Sequence, residues 1–326
     1  MDEYEPNNIK LTHSIGPNAS DDDLLFLKQI GLRWVRLHYG DWDADVDKLS
    51  EIQKRFAQYG VQIYSAHHPA YRSLKIQLGQ PERDKDIELC CAFIRVLGKL
   101  GIPVTVYDFH PGNTFTTSHV ERRGYIAREF DLDEFRNNVE KNRFEREYSA
   151  EEMWEYYTYF VKAVLPVAEE ANVRMGLHPD DPPLAKMNGV AKLFTNYSGY
   201  RRAEEIAGFS KYWGLLFCVG TWGESGDHMG KDVLEMIHDF GGKGKIFEVH
   251  FRNVSSPLPR FVETFHDDGY MDMYKVMKAL CQVRYTGSLM PDHIPQLVND
   301  TGRRAGLAYC IAYMRALLRR ANEEVG

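Results

Sequence analysis

The amino-acid sequence predicts an α/β fold in which eight parallel strands alternate with helices and close into a (β/α)₈ TIM barrel. The 326 residues exceed the usual length of one domain but suit a single barrel with insertions. Eight strand-like runs alternate with amphipathic helical stretches, which is the pattern of a parallel sheet. A doubly wound open sheet would share this alternation, but no glycine-rich phosphate-binding loop follows any run. We therefore expect one barrel domain over residues 1–326.

The eight predicted strands are short apolar runs spread along the whole chain. The first four are IKLTHS from Ile9, RWVRLH from Arg33, VQIYSA from Val61 and VTVYDF from Val104. The last four are VRMGLH from Val173, YWGLLFC from Tyr212, IFEVHF from Ile246 and GSLMPDH from Gly287. Eight is the number of strands that closes a TIM barrel.

The stretches between these strands carry helix signals. In DDDLLFLKQIG, Asp21 is suited to cap the first turn and Gly31 to end the helix. DIELCCAFIRVLGKLG and YYTYFVKAVLPVAEEAN repeat the scheme, and Pro166 is expected to kink the second of these helices. Residues 112–150 show no clear strand and many charges, so we interpret them as a polar insertion after the fourth strand.

Composition narrows the classes of partner. The chain has 40 basic and 47 acidic residues and a net charge of −7, which argues against a nucleic-acid surface. The first residues, MDEYEPNNIK, do not resemble a signal peptide, and no apolar run is long enough to cross a bilayer. Five cysteines is an odd number, with Cys90 and Cys91 adjacent, so we expect a reducing cytoplasm. We expect a small molecule as the partner, with no nucleic acid and no membrane, and leave open whether the chain forms a homo-oligomer.

Four residues of metal-ligand type fall at the ends of the last four predicted strands. They are His178, Cys218, His250 and Asp292. Alone, each has an ordinary structural explanation: a hydrogen-bonded barrel histidine, a small buried cysteine, or an aspartate in a turn. Because parallel barrel strands end at one face, the four can converge on one point. The mixed sulfur, nitrogen and oxygen set predicts a divalent metal site that accepts Zn²⁺, Fe²⁺, Co²⁺ or Mn²⁺.

Several segments, in order, resemble the mannonate dehydratase family. They are FVKAVLPVAEEANVRMGLHPDDPP, LFCVGTWGE, VHFRNV, TFHDDGYMDMYKVMKAL and MPDH, and the similarity is strongest from Phe160 to His293. The resemblance implies a xylose isomerase-like TIM barrel and a hydro-lyase. It also implies that Mn²⁺ assists the dehydration of D-mannonate to 2-keto-3-deoxygluconate. The family's metal ligands correspond to the same four strand-end residues.

Dehydration of a sugar acid requires a base for the α-proton and an acid for the departing hydroxyl. The first candidate for this proton transfer is His293, which follows Asp292, and further candidates are His266 and Asp268 in FHDDGYMD. We expect substrate contacts from Arg252, Asn253, Asp180, Asp181, Tyr107, His110 and His38. Arg252 is the candidate for the carboxylate because a guanidinium offers two parallel donors. The two aspartates of HPDDPP have a plainer alternative role as solvated loop charges. The prolines that follow them are expected to fix the backbone of this loop.

The chain also departs from the family pattern. After PDH the family has a longer segment with a Pro-Gly-Tyr turn whose Tyr is thought to serve catalysis, whereas this chain continues IPQLVNDTGRR. A related isomerase, epimerase or β-eliminating lyase therefore remains an alternative, as does a sugar-binding protein without catalysis. The same departure leads us to expect that D-mannonate is a poor substrate.

Overall fold

The computed structural model describes residues 4–326 and has a closed barrel of eight parallel strands at its centre. In chain order the barrel strands are Lys10–Ile15, Trp34–His38, Gln62–His67, Val104–Tyr107, Arg174–Leu177, Trp213–Cys218, Ile246–His250 and Ser288–Met290. Neighbours along the chain pair with one another, and the eighth strand pairs with the first, with Lys10 opposite Ser288. The predicted TIM barrel is confirmed, and each of the eight predicted runs overlaps one barrel strand.

Helices connect the barrel strands. The longer ones are Asp21–Gln29, Val46–Gln58, Arg83–Lys99, Ala150–Ala171, Tyr197–Ile206, Met273–Gln282 and Arg304–Val325. Shorter helical segments are Pro69–Arg72, Leu74–Gln77, Leu132–Glu134, Phe135–Val139, Val219–Ser225, Gly226–Met229, Val233–Met236, Ile237–Gly241 and Thr301–Arg303.

The first helix shows how local sequence sets a helix boundary. Its N-cap is Ser20, not the expected Asp21: the Ser20 side chain accepts from the Asp23 backbone, and the Asp23 carboxylate accepts in return. The helix ends just before Gly31, which has a φ of 75°. The helix Ala150–Ala171 is continuous across Pro166, although this residue has no backbone N–H to donate.

The barrel interior has an apolar layer and a polar layer. The apolar layer consists of Tyr64, Val104, Val106, Leu216 and Phe247. The polar layer surrounds the fully buried Glu248, which accepts hydrogen bonds from Arg36 at 2.8 Å and from Ser288 at 3.0 Å. Glu248 lies two residues before His250 on the seventh strand, so both side chains point into the barrel. This places the polar layer directly under the barrel mouth.

The insertion after the fourth strand contains strands, contrary to our expectation for residues 112–150. Ser118–Arg122 and Tyr125–Asp131 form an antiparallel hairpin, which continues through Arg260–Thr264 and Asn253–Val254 into one four-stranded sheet. A second small hairpin pairs Lys186–Met187 with Val190–Ala191. The two hairpin strands carry many charged residues, and these obscured the alternation of apolar and polar residues by which a strand is recognised in a sequence. The available signal was the two-residue turn at Arg123 and Gly124, whose φ values are 50° and 83°.

Across residues 4–326 the helices are too short or too polar to span a lipid bilayer.

Gly214 allows a close approach of backbone in the strand that ends at Cys218. A Cβ at this position would lie 2.3 Å from the Lys245 carbonyl oxygen and 2.7 Å from the Phe247 ring. We expect Gly214→Ala to lower the free energy of unfolding by about 2 kcal/mol, since this core position has no space for a methyl group. Gly242→Ala is the control, because a Cβ there meets nothing within 4 Å. Equal denaturation midpoints for the two variants would contradict the expectation.

Candidate metal centre and active site

A cavity of about 350 Å³ opens at the carboxyl ends of the barrel strands. Its walls are formed by Arg36, His38, His67, Arg72, Val106, Tyr107, Asp108, His110, Phe115, Arg128, His178, Asp181, Leu216, His250, Asp292 and His293. This is the face at which TIM barrels carry their active sites, and the volume is that of a small-ligand site.

Three of the predicted ligands form a cluster at this cavity. One ligand atom from each of His178, Cys218 and His250 lies within 4.8 Å of the others. The fold accounts for the cluster: Cys218 and His250 are paired in register at the ends of adjacent strands, and His178 follows the fifth strand. Two imidazoles and a thiol suit a divalent transition metal, so this triad could hold one.

Asp292 lies at the edge of the triad. Its Oδ2 is 3.4 Å from Nδ1 of His250, and both atoms are buried without a hydrogen-bond partner among the described residues. Buried polar atoms without partners are uncommon in folded proteins. A cation between Asp292 and the triad would satisfy both atoms, which fits the predicted fourth ligand.

The charges around the triad favour a bound cation. Burial alone would raise the pKa of the Cys218 thiol, but the positive charge of the Arg252 guanidinium holds that pKa below its ordinary value. Burial likewise opposes ionisation of Asp292, yet His250 and His293 keep its pKa well below the usual range. The thiolate and the carboxylate are the forms that bind metals.

Arg252 does not lie where a substrate carboxylate could reach it. Its side chain is fully buried, and its guanidinium pairs with Asp181 at 2.7 Å, Glu224 at 2.9 Å and Glu263 at 2.6 Å. Protein carboxylates therefore already neutralise its charge. The structure places this expected substrate contact inside a buried ion cluster behind the cavity.

Two other expected substrate contacts support loops. Asp180 is buried and accepts from the backbone N–H groups of Leu193 at 3.1 Å and Phe194 at 2.9 Å. The Asn253 amide donates to the carbonyls of His266 at 2.9 Å and Met271 at 3.0 Å. Neither side chain lines the cavity.

His266 and Asp268, the further candidates for proton transfer, also lie away from the cavity. The His266 ring stacks on Tyr313 with centroids 6.1 Å apart, and burial lowers the pKa of His266 to about 4. Asp268 pairs with Arg122 at 2.9 Å and accepts from the Tyr125 hydroxyl at 2.6 Å. Asp268 thereby attaches the inserted hairpin to the barrel.

His293, in contrast, lies in the cavity wall. Its Nδ1 is 2.8 Å from the Glu263 carboxylate, and its Nε2 is 3.7 Å from Asp292. Burial alone would lower the pKa of His293, but the carboxylates of Asp292 and Glu263 outweigh it and raise this pKa to about 9. The imidazole is therefore protonated at neutral pH in the metal-free protein, which is the form of a general acid.

Four further expected contacts line the cavity: Asp181, Tyr107, His110 and His38. The Tyr107 hydroxyl points away from it, towards Tyr157 at 3.2 Å and the indole N–H of Trp213 at 3.1 Å. Tyr107 therefore offers the cavity its ring rather than its hydroxyl.

Our sequence reasoning missed several cavity residues: Arg36, His67, Arg72, Phe115 and Arg128. His67 ends the third barrel strand, so the strand-end rule that found the metal ligands could have found it too. Arg128 lies on the inserted hairpin, whose strands were not predicted.

Fold and site together define a class: a xylose isomerase-like barrel with a candidate metal centre at its mouth. A xylose isomerase domain protein from Planctomyces limnophilus has the same fold, with a TM-score of 0.65 at 10% identity over 97% of this chain and 99% of that one. An L-ribulose 3-epimerase superposes with a TM-score of 0.61 at 14% identity, over 97% and 96% of the two chains.

Closer similarity identifies the family. The family model D-mannonate dehydratase (UxuA) matches residues 123–323. Mannonate dehydratase 2 of Halalkalibacterium halodurans is 30% identical over 70% of this chain and 72% of its own length. The crystal structure of mannonate dehydratase from Streptococcus suis superposes with a TM-score of 0.87 at 27% identity, over 98% and 96% of the two chains. The chain belongs to the mannonate dehydratase family, a family of hydro-lyases, as its sequence motifs indicated.

Ligand substitutions test the metal centre. We expect Cys218→Ser and Asp292→Asn each to lose bound metal and activity together while the fold survives, because the apolar barrel core does not depend on these end residues. Metal content after gel filtration, with circular dichroism, measures both effects. Cys281→Ser is the matched control, since Cys281 lies on an outer helix. Full metal content in either ligand variant would show that the residue is not a ligand.

Proposed function

We propose that this protein is a divalent-metal-dependent dehydratase that removes water from a sugar acid, with D-mannonate to 2-keto-3-deoxygluconate as the reference reaction. The single observation that carries the proposal is the His178, Cys218 and His250 triad at the barrel mouth of a mannonate dehydratase family member. We propose the cytoplasm as its compartment, because all five cysteines are free thiols.

In this proposal the metal is held by the triad and Asp292. Mn²⁺ is the proposed native ion, on the basis of the family resemblance, and the donor set would also accept Fe²⁺, Co²⁺ or Zn²⁺. A bound divalent cation supplies Lewis-acid stabilisation of negative charge that develops on the substrate carboxylate. The unpartnered Nδ1 of His250 and Oδ2 of Asp292 support a cation at this position.

The side chain proposed to move a proton is His293. The leaving group is a sugar hydroxyl, which departs as water only when it receives a proton. His293 lies in the cavity wall next to Asp292, and the Glu263 carboxylate 2.8 Å from its Nδ1 favours the protonated imidazole. Glu263 fixes the ring through Nδ1, which leaves Nε2 as the proposed donor atom.

A panel of sugar acids tests the reaction class. With Mn²⁺ supplied, we expect a 2-keto-3-deoxy acid to form from at least one aldonate, detected with thiobarbiturate. The same protein with neutral ketoses is the comparison for an isomerase or epimerase. Epimerisation of a ketose without dehydration of any sugar acid would overturn the proposal.

Within that panel we expect D-mannonate to be a poor substrate, with kcat/KM below about 10⁴ M⁻¹s⁻¹. The physical reason is the missing Pro-Gly-Tyr segment: Tyr107 is the one tyrosine among the described cavity-lining residues, and its hydroxyl faces Trp213. Tyr270 does not replace it, because its hydroxyl donates to the Gly223 carbonyl outside this cavity. Steady-state kinetics on mannonate checks this, and efficient turnover would contradict it.

Substitution of His293 tests the proton donor. We expect His293→Asn to retain metal but to lower kcat by about a hundredfold or more, the range that a general acid or base contributes. His266→Asn is the matched control, because His266 lies outside the cavity, and it should change kcat little. Unchanged kcat in His293→Asn would remove His293 from the mechanism.

A further inference from the structure

The cavity holds one arginine whose charge is not neutralised by any group within residues 4–326. Three arginines line it, and two are paired: Arg36 with Glu248 at 2.8 Å and Arg72 with Asp108 at 2.8 Å. The Arg128 side chain makes no hydrogen bond or ion pair with any described residue, although it too lines the cavity. Its five N–H donors are therefore free to bind a ligand.

The position of Arg128 is fixed by the sheet around it. Arg128 lies in the strand Tyr125–Asp131, which pairs on one side with Ser118–Arg122 and on the other with Arg260–Thr264. A strand held on both sides cannot shift its register without breaking both ladders. The guanidinium is therefore carried on a rigid element rather than on a mobile loop.

The same strand is attached to the chain that follows the metal site. The backbones of Ile126 and Gln296 exchange two hydrogen bonds, of 3.0 and 2.8 Å, and Gln296 is three residues after His293. Arg128 is two residues from Ile126, about 7 Å along a strand. Backbone hydrogen bonds therefore join the strand that carries Arg128 to the segment that follows His293, and both residues line the same cavity.

The aspartates that line the cavity are already paired with other basic groups, so the positive charge of Arg128 favours an anionic ligand. Asp108 is paired with Arg72, and Asp181 is paired with Arg252. The Asp292 carboxylate lies between His250 and Arg252. A planar guanidinium without a protein partner binds a carboxylate through two parallel hydrogen bonds, whereas a neutral sugar gains little from it.

We propose that Arg128 is the residue that recognises the substrate carboxylate, in place of the buried Arg252. This inference rests on the proposed function and deepens it, because it names a side chain that selects sugar acids over neutral ketoses and polyols. It assigns to the inserted hairpin a part in substrate specificity.

Equilibrium binding separates this inference from the reaction itself. Calorimetry with D-mannonate and with the neutral polyol D-mannitol is done on Mn²⁺-loaded protein that carries His293→Asn, so that turnover does not interfere. We expect Arg128→Met to weaken mannonate binding about tenfold or more, the loss typical of a charge-assisted hydrogen bond, and to leave mannitol binding unchanged. The Mn²⁺-free protein repeats the comparison without the cation's own attraction for the anion.

The matched control is Arg123→Met, which removes a positive charge from the same hairpin but one that pairs with Asp267 outside the cavity. It should leave both affinities unchanged. Arg128→Lys keeps the charge but loses the two-pronged contact, so we expect an intermediate affinity for mannonate; it also serves if Arg128→Met does not fold.

Unchanged mannonate affinity in the Arg128 variants would overturn the inference, as would an equal loss for mannitol. Tighter binding of mannose 6-phosphate than of mannonate to the parent protein would overturn the assignment to a carboxylate. If no sugar acid is dehydrated yet mannonate binding depends on Arg128, the proposed reaction fails while this inference stands.

Discussion

The buried positive charge of Arg252 is the interaction on which the arrangement of the barrel mouth depends. It pairs with Asp181 after the fifth strand, Glu224 in the helix after the sixth and Glu263 in the inserted sheet. Removing one partner of a buried ion pair typically costs about 3–5 kcal/mol, so these segments are tied to one another through a single guanidinium. Burial and the neighbouring Asp181 carboxylate raise the pKa of Glu224 well above its ordinary value, and the Arg252 guanidinium opposes this shift.

The same guanidinium connects stability with chemistry. Its Nη2 is 3.6 Å from the Cys218 sulfur and 2.7 Å from Asp181, and its positive charge favours the thiolate. A group that neutralises acids for folding therefore also prepares a metal ligand. Glu263 extends the connection to His293, whose imidazole it orients and keeps protonated. The metal cluster and the proton donor are thus held by one charged network.

The sequence was sufficient for the barrel and for the residues at strand ends, because parallel strands place equivalent positions at equal depth. That rule brought Cys218 and His250 together, and they are paired in register. The same rule gave no guidance beyond the strand ends, because the chain turns there and spacing in the sequence no longer fixes where a side chain points. Arg252 is two residues after His250, yet its side chain is entirely buried instead of facing the cavity. The inserted hairpin was missed because charges occupy its exposed positions, and Arg128 was missed with it.

The backbone at His293 has a φ of 47°, in the left-handed region that few residues adopt without strain. Histidine, asparagine and aspartate occur there several times more often than other non-glycine residues, whereas β-branched side chains are genuine outliers. The loop after the eighth strand therefore admits few residue types at this position before any reaction is considered. During divergence of the family, the side chain at position 293 can consequently be replaced by only a few residue types, unless the backbone of the turn that follows Asp292 changes as well.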